Sequence, residues 1–193
     1  MNRRQFLATT AIPVGMATAG CSFGTDQTVE LDADTEQQDG GRQNETYLVY
    51  RHEGEEIRVV GFDQHSFPAS LTDRFGFGIV IEYDEATTVE SFRFDLRTPP
   101  AGAPADIYLA SPTEAVWPNL RYGRVEDGVA TRIALSDATD VTDETVFIDT
   151  IIDPNSSPAE RIAIDLELEF TASDAPVTYR TETTTMFRKL RLY

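Results

Sequence analysis

The sequence predicts an all-β fold, an antiparallel β-sandwich of two packed sheets with about nine strands. Three observations carry the prediction. From residue 46 onward apolar residues recur with a period of two rather than 3.6. Clusters of Gly, Pro, Asn, Asp and Ser interrupt these runs at short intervals. No amphipathic stretch of about 10 residues fits a helix.

The elements follow in order. Thr46 to Arg51, Glu55 to Phe62, Asp106 to Ala110, Val129 to Leu135 and Thr145 to Ile152 are short strand candidates. Phe75, Phe77, Ile79, Ile81 and Tyr83 make a longer strand, and Phe92, Phe94 and Leu96 mark the next after the Asp84-Glu85-Ala86 turn. The clearest alternation is Ile162, Ile164, Leu166, Leu168 and Phe170, interleaved with Arg161, Ala163, Asp165, Glu167 and Glu169. Val177, Tyr179 and the threonine-rich run to Phe187 return antiparallel after Ser173-Asp174-Ala175-Pro176. Residues 46–193 are expected to form one sandwich of immunoglobulin-like type, a barrel being the alternative. A chain of that length buries roughly two thirds of its surface in a single core. Residues 21–45 are rich in acids and poor in large apolar groups, so they are expected to be a flexible, charge-extended tether.

Residues 1–20 have the layout of an export signal. Arg3 and Arg4 precede an apolar stretch from Phe6 to Ala19, and Ala19-Gly20 precede Cys21. A bilayer-spanning helix needs ~20 apolar residues, so the stretch is too short for a permanent anchor. Arg3-Arg4-Gln5-Phe6-Leu7 resembles a twin-arginine core and Ala19-Gly20-Cys21 resembles a lipobox. That resemblance implies export by the twin-arginine route and lipidation of Cys21. The protein would then be held at the extracellular face of the cell membrane through two acyl chains, since one gives only marginal binding. Cys21 is the single cysteine, which excludes an intramolecular disulfide and a Cys-rich metal cluster.

The chain carries 33 acidic residues against 16 Lys and Arg, for a net charge of −17. Removing the leader, whose two arginines face no acid, leaves −19. Such self-repulsion weakens a compact state in dilute buffer, but at 1 M salt the Debye length falls to about 3 Å. High salt is therefore the expected solvent. Lys189 is the only lysine. Acid excess, scarce lysine and the leader together resemble a haloarchaeal twin-arginine-exported lipoprotein. The same charge excludes a nucleic-acid partner, which requires a basic footprint.

Motifs for chemistry are sparse. No Gly-x-Ser-x-Gly, Ser-x-x-Lys or His-Glu-x-x-His occurs, nor a phosphate-cradling glycine loop, and no cofactor is expected. Gly76 and Gly78 fall in a strand pattern, where they mark a bulge or close packing. Asp63 and His65, two apart on an extended segment, share a face and form the candidate metal or acid–base pair. Asp137, Asp140 and Asp143 have oxygen ligands at a spacing of three, without the alternate-residue pattern of a calcium loop. Trp117, Arg121 and Tyr122 form an aromatic–arginine candidate for a binding hot spot. Asn44 and Asn155 head glycosylation sequons. The basic, apolar end from Phe187 to Tyr193 suits either a last strand against acidic neighbours or anionic headgroups. The leading expectation is a lipid-anchored, non-catalytic surface module that binds a surface protein or glycan. The alternative is an exported hydrolase or metal-dependent enzyme centred on Asp63 and His65.

Overall fold

The computed structural model describes residues 27–38, 45–82, 85–99, 104–110, 119–125, 128–138, 145–155, 157–188 and 192–193. Twelve strands run through them: β1 (Gln27–Glu30), β2 (Ala33–Gln38), β3 (Glu45–His52), β4 (Glu55–Asp63), β5 (Phe75–Ile81), β6 (Thr87–Arg97), β7 (Asp106–Leu109), β8 (Arg121–Arg124), β9 (Thr131–Leu135), β10 (Val146–Asp153), β11 (Arg161–Ala172) and β12 (Val177–Arg188). They form two six-stranded sheets. The first, sheet A, has the order β1-β12-β11-β6-β9-β8; the second, sheet B, has the order β2-β3-β4-β5-β10-β7. Every pairing is antiparallel except β1 with β12. The fold is thus the predicted sandwich, with three more strands than the nine expected.

Period-two alternation builds the core. On β11, Ile162, Ile164, Leu166, Leu168 and Phe170 are all buried. They face Leu48, Tyr50, Val60, Phe62, Phe77, Ile79 and Ile148 of sheet B within one apolar cluster. Aromatic rings join the layers: Phe62 of β4 meets Phe94 of β6 edge-to-face at 6.3 Å, and Phe77 of β5 meets Phe187 of β12 at 5.1 Å. At the β5–β6 end, Arg58 sits on the inner face of β4 and is buried. Its guanidinium donates to the carbonyl of Glu82 and, 2.7 Å away, to that of Thr87. It also lies 5.5 Å from the centre of the Phe170 ring. One side chain of sheet B thereby ties down the start of β6 and covers a ring of β11.

The expected tether needs correction, because residues 27–38 form strands β1 and β2 of the two sheets. Val29, Leu31 and Ala33 pack against the core, while Glu30, Asp32 and Asp34 alternate with them. The period is two here as well, hidden by small apolar groups and a high charge density. Both strands are edges, and charged edge strands resist pairing with other chains. The other missed strand, β8, closes the far edge of sheet A. Tyr122 donates its hydroxyl to the Ile107 carbonyl, and Arg124 donates to the Ala105 carbonyl at 3.1 Å. These contacts cap the outward carbonyls of β7 on sheet B.

Candidate functional site

The outer faces of the two sheets differ in how they treat their acids. On sheet A, four carboxylates lie beside an arginine of the same or a neighbouring strand. Asp95 takes a bidentate pair from Arg132 at 2.7 and 2.6 Å. Glu169 takes two bonds from Arg180, Glu167 meets Arg93, and Asp165 is held by Arg97 and by Thr184 at 2.8 Å. The broad concavity there, about 680 Å³, is lined by the Glu167–Arg93 and Glu169–Arg180 pairs together with Glu30 and Glu182.

Sheet B presents a different surface. Across its strands Glu45 lies opposite Asp63, Asp63 opposite Gly78, and Gly78 opposite Asp149. The adjacent row runs Tyr47, Gly61, Val80, Phe147. Between them is a groove of about 360 Å³, closed at one side by Glu82 and flanked by His65. Its floor is made of glycine. A Cβ on Gly78 would stand 2.2 Å from Asp63 Oδ1, one on Gly76 2.3 Å from His65 Nε2, and one on Gly61 3.2 Å from the Tyr47 ring. Gly76 and Gly78 therefore mark close packing, and β5 runs in continuous register with β10 without a bulge. They let the Asp63 and His65 side chains lie down across β5. Ser66 fixes this segment further by accepting the Gly76 N–H on its hydroxyl.

The electrostatics follow from this placement. Burial raises the Asp63 pKa, and Glu45 and Asp149 push it the same way; His65 and the Gly78 backbone oppose them. Tyr47 is pushed up to about 12, first by donating its hydroxyl to Glu45 at 2.6 Å, then by burial and nearby carboxylates. Phe147 at the groove is 58% exposed, and beyond it the same face exposes Ile151 (41%) and Tyr108 (45%). Ile151 and Tyr108 are paired across β10 and β7.

The residues singled out from sequence divide as follows. Asp63 and His65 do share one face, with His65 Nδ1 4.0 Å from Asp63 Oδ1, too long for a hydrogen bond. Among the described residues no three His, Cys, Asp or Glu side chains cluster as metal ligands. Arg121 is exposed on edge strand β8, and the Tyr122 hydroxyl is spent on closing the sandwich edge. Asn155 stands in the left-handed region at φ 53°. Its Nδ2 donates at 3.0 Å to both Pro104 O and Asp106 Oδ2, so a glycan would displace one of these bonds. That contact and Arg124 hold the Asp106 carboxyl below its usual range. Arg3, Arg4, Phe6, Leu7, Cys21, Asn44, Trp117, Asp140 and Asp143 lie outside the described residues. Sequence reasoning missed Glu45, Tyr47, Phe147 and Asp149, whose meeting depends on register across four strands.

A family profile described as a domain of unknown function (DUF8121) matches residues 27–189, the span of the sandwich from β1 through β12. The chain belongs to this family. The DUF8121 match begins at Gln27, the first residue of β1. No curated protein matches the chain. Among solved structures, the collagen-binding domain from a Staphylococcus aureus adhesin overlaps with a TM-score of 0.34 at 6% identity, covering 58% of this chain and 89% of that one. The S. aureus collagen adhesin overlaps with a TM-score of 0.36 at 5% identity, covering 83% and 91%.

The glycine floor makes a testable claim. Gly78→Ala should displace the far end of Asp63 rather than break the sheet, because the clash is with a movable carboxylate. Its unfolding free energy should change by less than about 1 kcal/mol, with the Asp63 carboxyl resonance shifted in NMR. A large loss of stability with that resonance unmoved would show that the glycine serves the backbone instead.

Proposed function

We propose that this protein is a lipid-tethered, extracytoplasmic binding module that holds its ligand on the outer face of sheet B. The observation that carries the reading is the contrast between the faces. Four acids of sheet A are paired with arginines, whereas sheet B offers a glycine-floored, acid-lined groove beside exposed Phe147, Ile151 and Tyr108. An exposed apolar patch rimmed by polar groups is a mark of interaction surfaces. The tether follows from Cys21, which precedes β1 by six residues. At ~3.6 Å per residue, a lipid on Cys21 would keep the domain within about 20 Å of its anchor. High external salt completes the proposal, because screening relieves the repulsion of a −19 chain.

Two measurements on cells test it. Cys21→Ser should move the protein from the membrane fraction to the medium, and unchanged fractionation would sink the anchor. A photo-crosslinking side chain at position 147 should capture a partner on intact cells, while the same group at position 132 on sheet A should not. Equal capture from both faces would contradict the assignment of the groove.

A further inference from the structure

Strand β1 fixes where the chain enters the sandwich. Gln27 pairs in parallel with Val177 at the start of β12, and its N–H donates to the Pro176 carbonyl at 3.1 Å. The entry point therefore sits on the β11–β12 turn. The Ser173 N–H donates to the Ala86 carbonyl at 2.8 Å, which ties that turn to the β5–β6 connection. The rings of His52 and Tyr179 meet at 5.7 Å, so the β3–β4 turn at Glu53-Gly54 gathers at the same end of the sandwich. The opposite end holds the β4–β5 connection, where the Tyr193 N–H donates to the Pro68 carbonyl at 3.0 Å and the Ala159 N–H to that of Leu71 at 2.9 Å. β12 runs between the two ends for 12 residues, which at ~3.3 Å per residue separates them by about 35 Å.

We infer that the end of the sandwich at β1 faces the lipid headgroups, so that the groove on sheet B opens along the membrane surface. This rests on lipidation of Cys21, as proposed above, and adds the orientation of the domain. Six residues lead from Cys21 to Gln27, so the anchor holds this end within about 20 Å of the bilayer, and the far end stands off by the further length of β12. The facing turns rest on the headgroups without entering them. They carry exposed Glu53, Glu55, Glu85 and Asp174, and among the described residues no large apolar side chain is exposed there. The negative surface potential of an anionic leaflet keeps such an end hydrated. The competing pose lays sheet B on the bilayer through Phe147, Ile151 and Tyr108. That pose presses the carboxylates of the groove, Asp63 and Glu82 among them, against the same anionic layer. The upright pose leaves them in solvent.

The test is resonance energy transfer in the lipidated chain, isolated from cells and reconstituted into anionic vesicles whose headgroups carry an acceptor dye. Lipidation consumes the single cysteine, so a donor dye can be placed on one introduced thiol. Donors at the exposed positions of Asp174→Cys and Glu55→Cys should transfer severalfold more than donors at those of Glu160→Cys and Ala69→Cys. Ile151→Cys on the flank of sheet B should fall between them. With more than one site at each end, a single variant that fails to fold leaves the comparison intact. Equal transfer from the two ends, or more from the far end, would overturn the inference with the anchor left standing. Strongest transfer from position 151 would overturn it too, by placing sheet B against the bilayer. Failure of the parent chain to sediment with the vesicles is the separate result that removes the anchor, and the orientation with it.

Discussion

Leu166→Ala should lower the unfolding free energy by about 2–5 kcal/mol, the cost of lost transfer energy plus a residual cavity. Leu166 is buried at the middle of β11, opposite Phe94 on one side and Thr183 on the other. Phe94 in turn closes on Phe62 of sheet B, so the void would open between the layers, where neighbouring strands hold it open. Glu167, one residue on, points to the outer face and pairs with Arg93, a half-exposed bridge worth about 0–1 kcal/mol. The same contrast should repeat at Leu168, buried, and Glu169, paired with Arg180. Denaturant unfolding of the four alanine variants checks it. Equal losses within either pair would contradict the inward and outward alternation on which the sandwich rests.

Arg58→Met should be the second large effect. Methionine keeps an apolar stem near Phe170 but removes every donor, leaving the carbonyls of Glu82 and Thr87 without the guanidinium that reaches them. Each buried acceptor left unmade costs about 1–3 kcal/mol, so a loss of at least about 2 kcal/mol is expected in denaturant unfolding. The clamp joins β4 to the start of β6, so the strand entering sheet A should also lose protection in hydrogen exchange near Thr87. The opposite outcome has a physical basis, because a buried charge carries a desolvation cost that an apolar residue avoids. A Met variant as stable as the parent would show that the arginine is tolerated rather than needed.

Much of this architecture is legible in the sequence, and the exceptions share a cause. Strands β3–β7 and β9–β12 announce themselves through large apolar residues at alternate positions, because both sheets have one dry face. The strands β1 and β2 follow the same period with Val29, Leu31 and Ala33, but few apolar groups among four acids read as a tether. Strand β8 has no apolar alternation at all, since its Tyr122 and Arg124 side chains serve the edge of β7. The site shows the same limit. That Asp63 and His65 share a face follows from the two-residue period alone. That Glu45 and Asp149 join them depends on which strands become neighbours and in what register, and local sequence carries neither. One signal was available: Gly61, Gly76 and Gly78 interrupt otherwise apolar strands at positions facing outward, where a missing side chain leaves room for a neighbour's.

The paired acids of sheet A serve the fold, whereas the acids of the sheet B groove are proposed to serve a ligand. Thermal unfolding of Asp63→Asn and Asp165→Asn at neutral pH compares the two most directly. Because folding raises the Asp63 pKa, the folded state binds that proton more tightly than the unfolded chain. Its favourable contribution is present at low pH and is lost as pH rises through the folded pKa, so at neutral pH the ionised group opposes folding. An amide removes that opposition and can still accept from the Gly78 backbone, so Asp63→Asn should melt at a higher temperature than the parent. Asp165 is held by Arg97 and Thr184, and Asp165→Asn gives up those charge-assisted bonds, so it should melt lower. Shifts of opposite sign are the predicted result; a fall in both variants would make Asp63 one more structural acid and contradict the separation of the two faces.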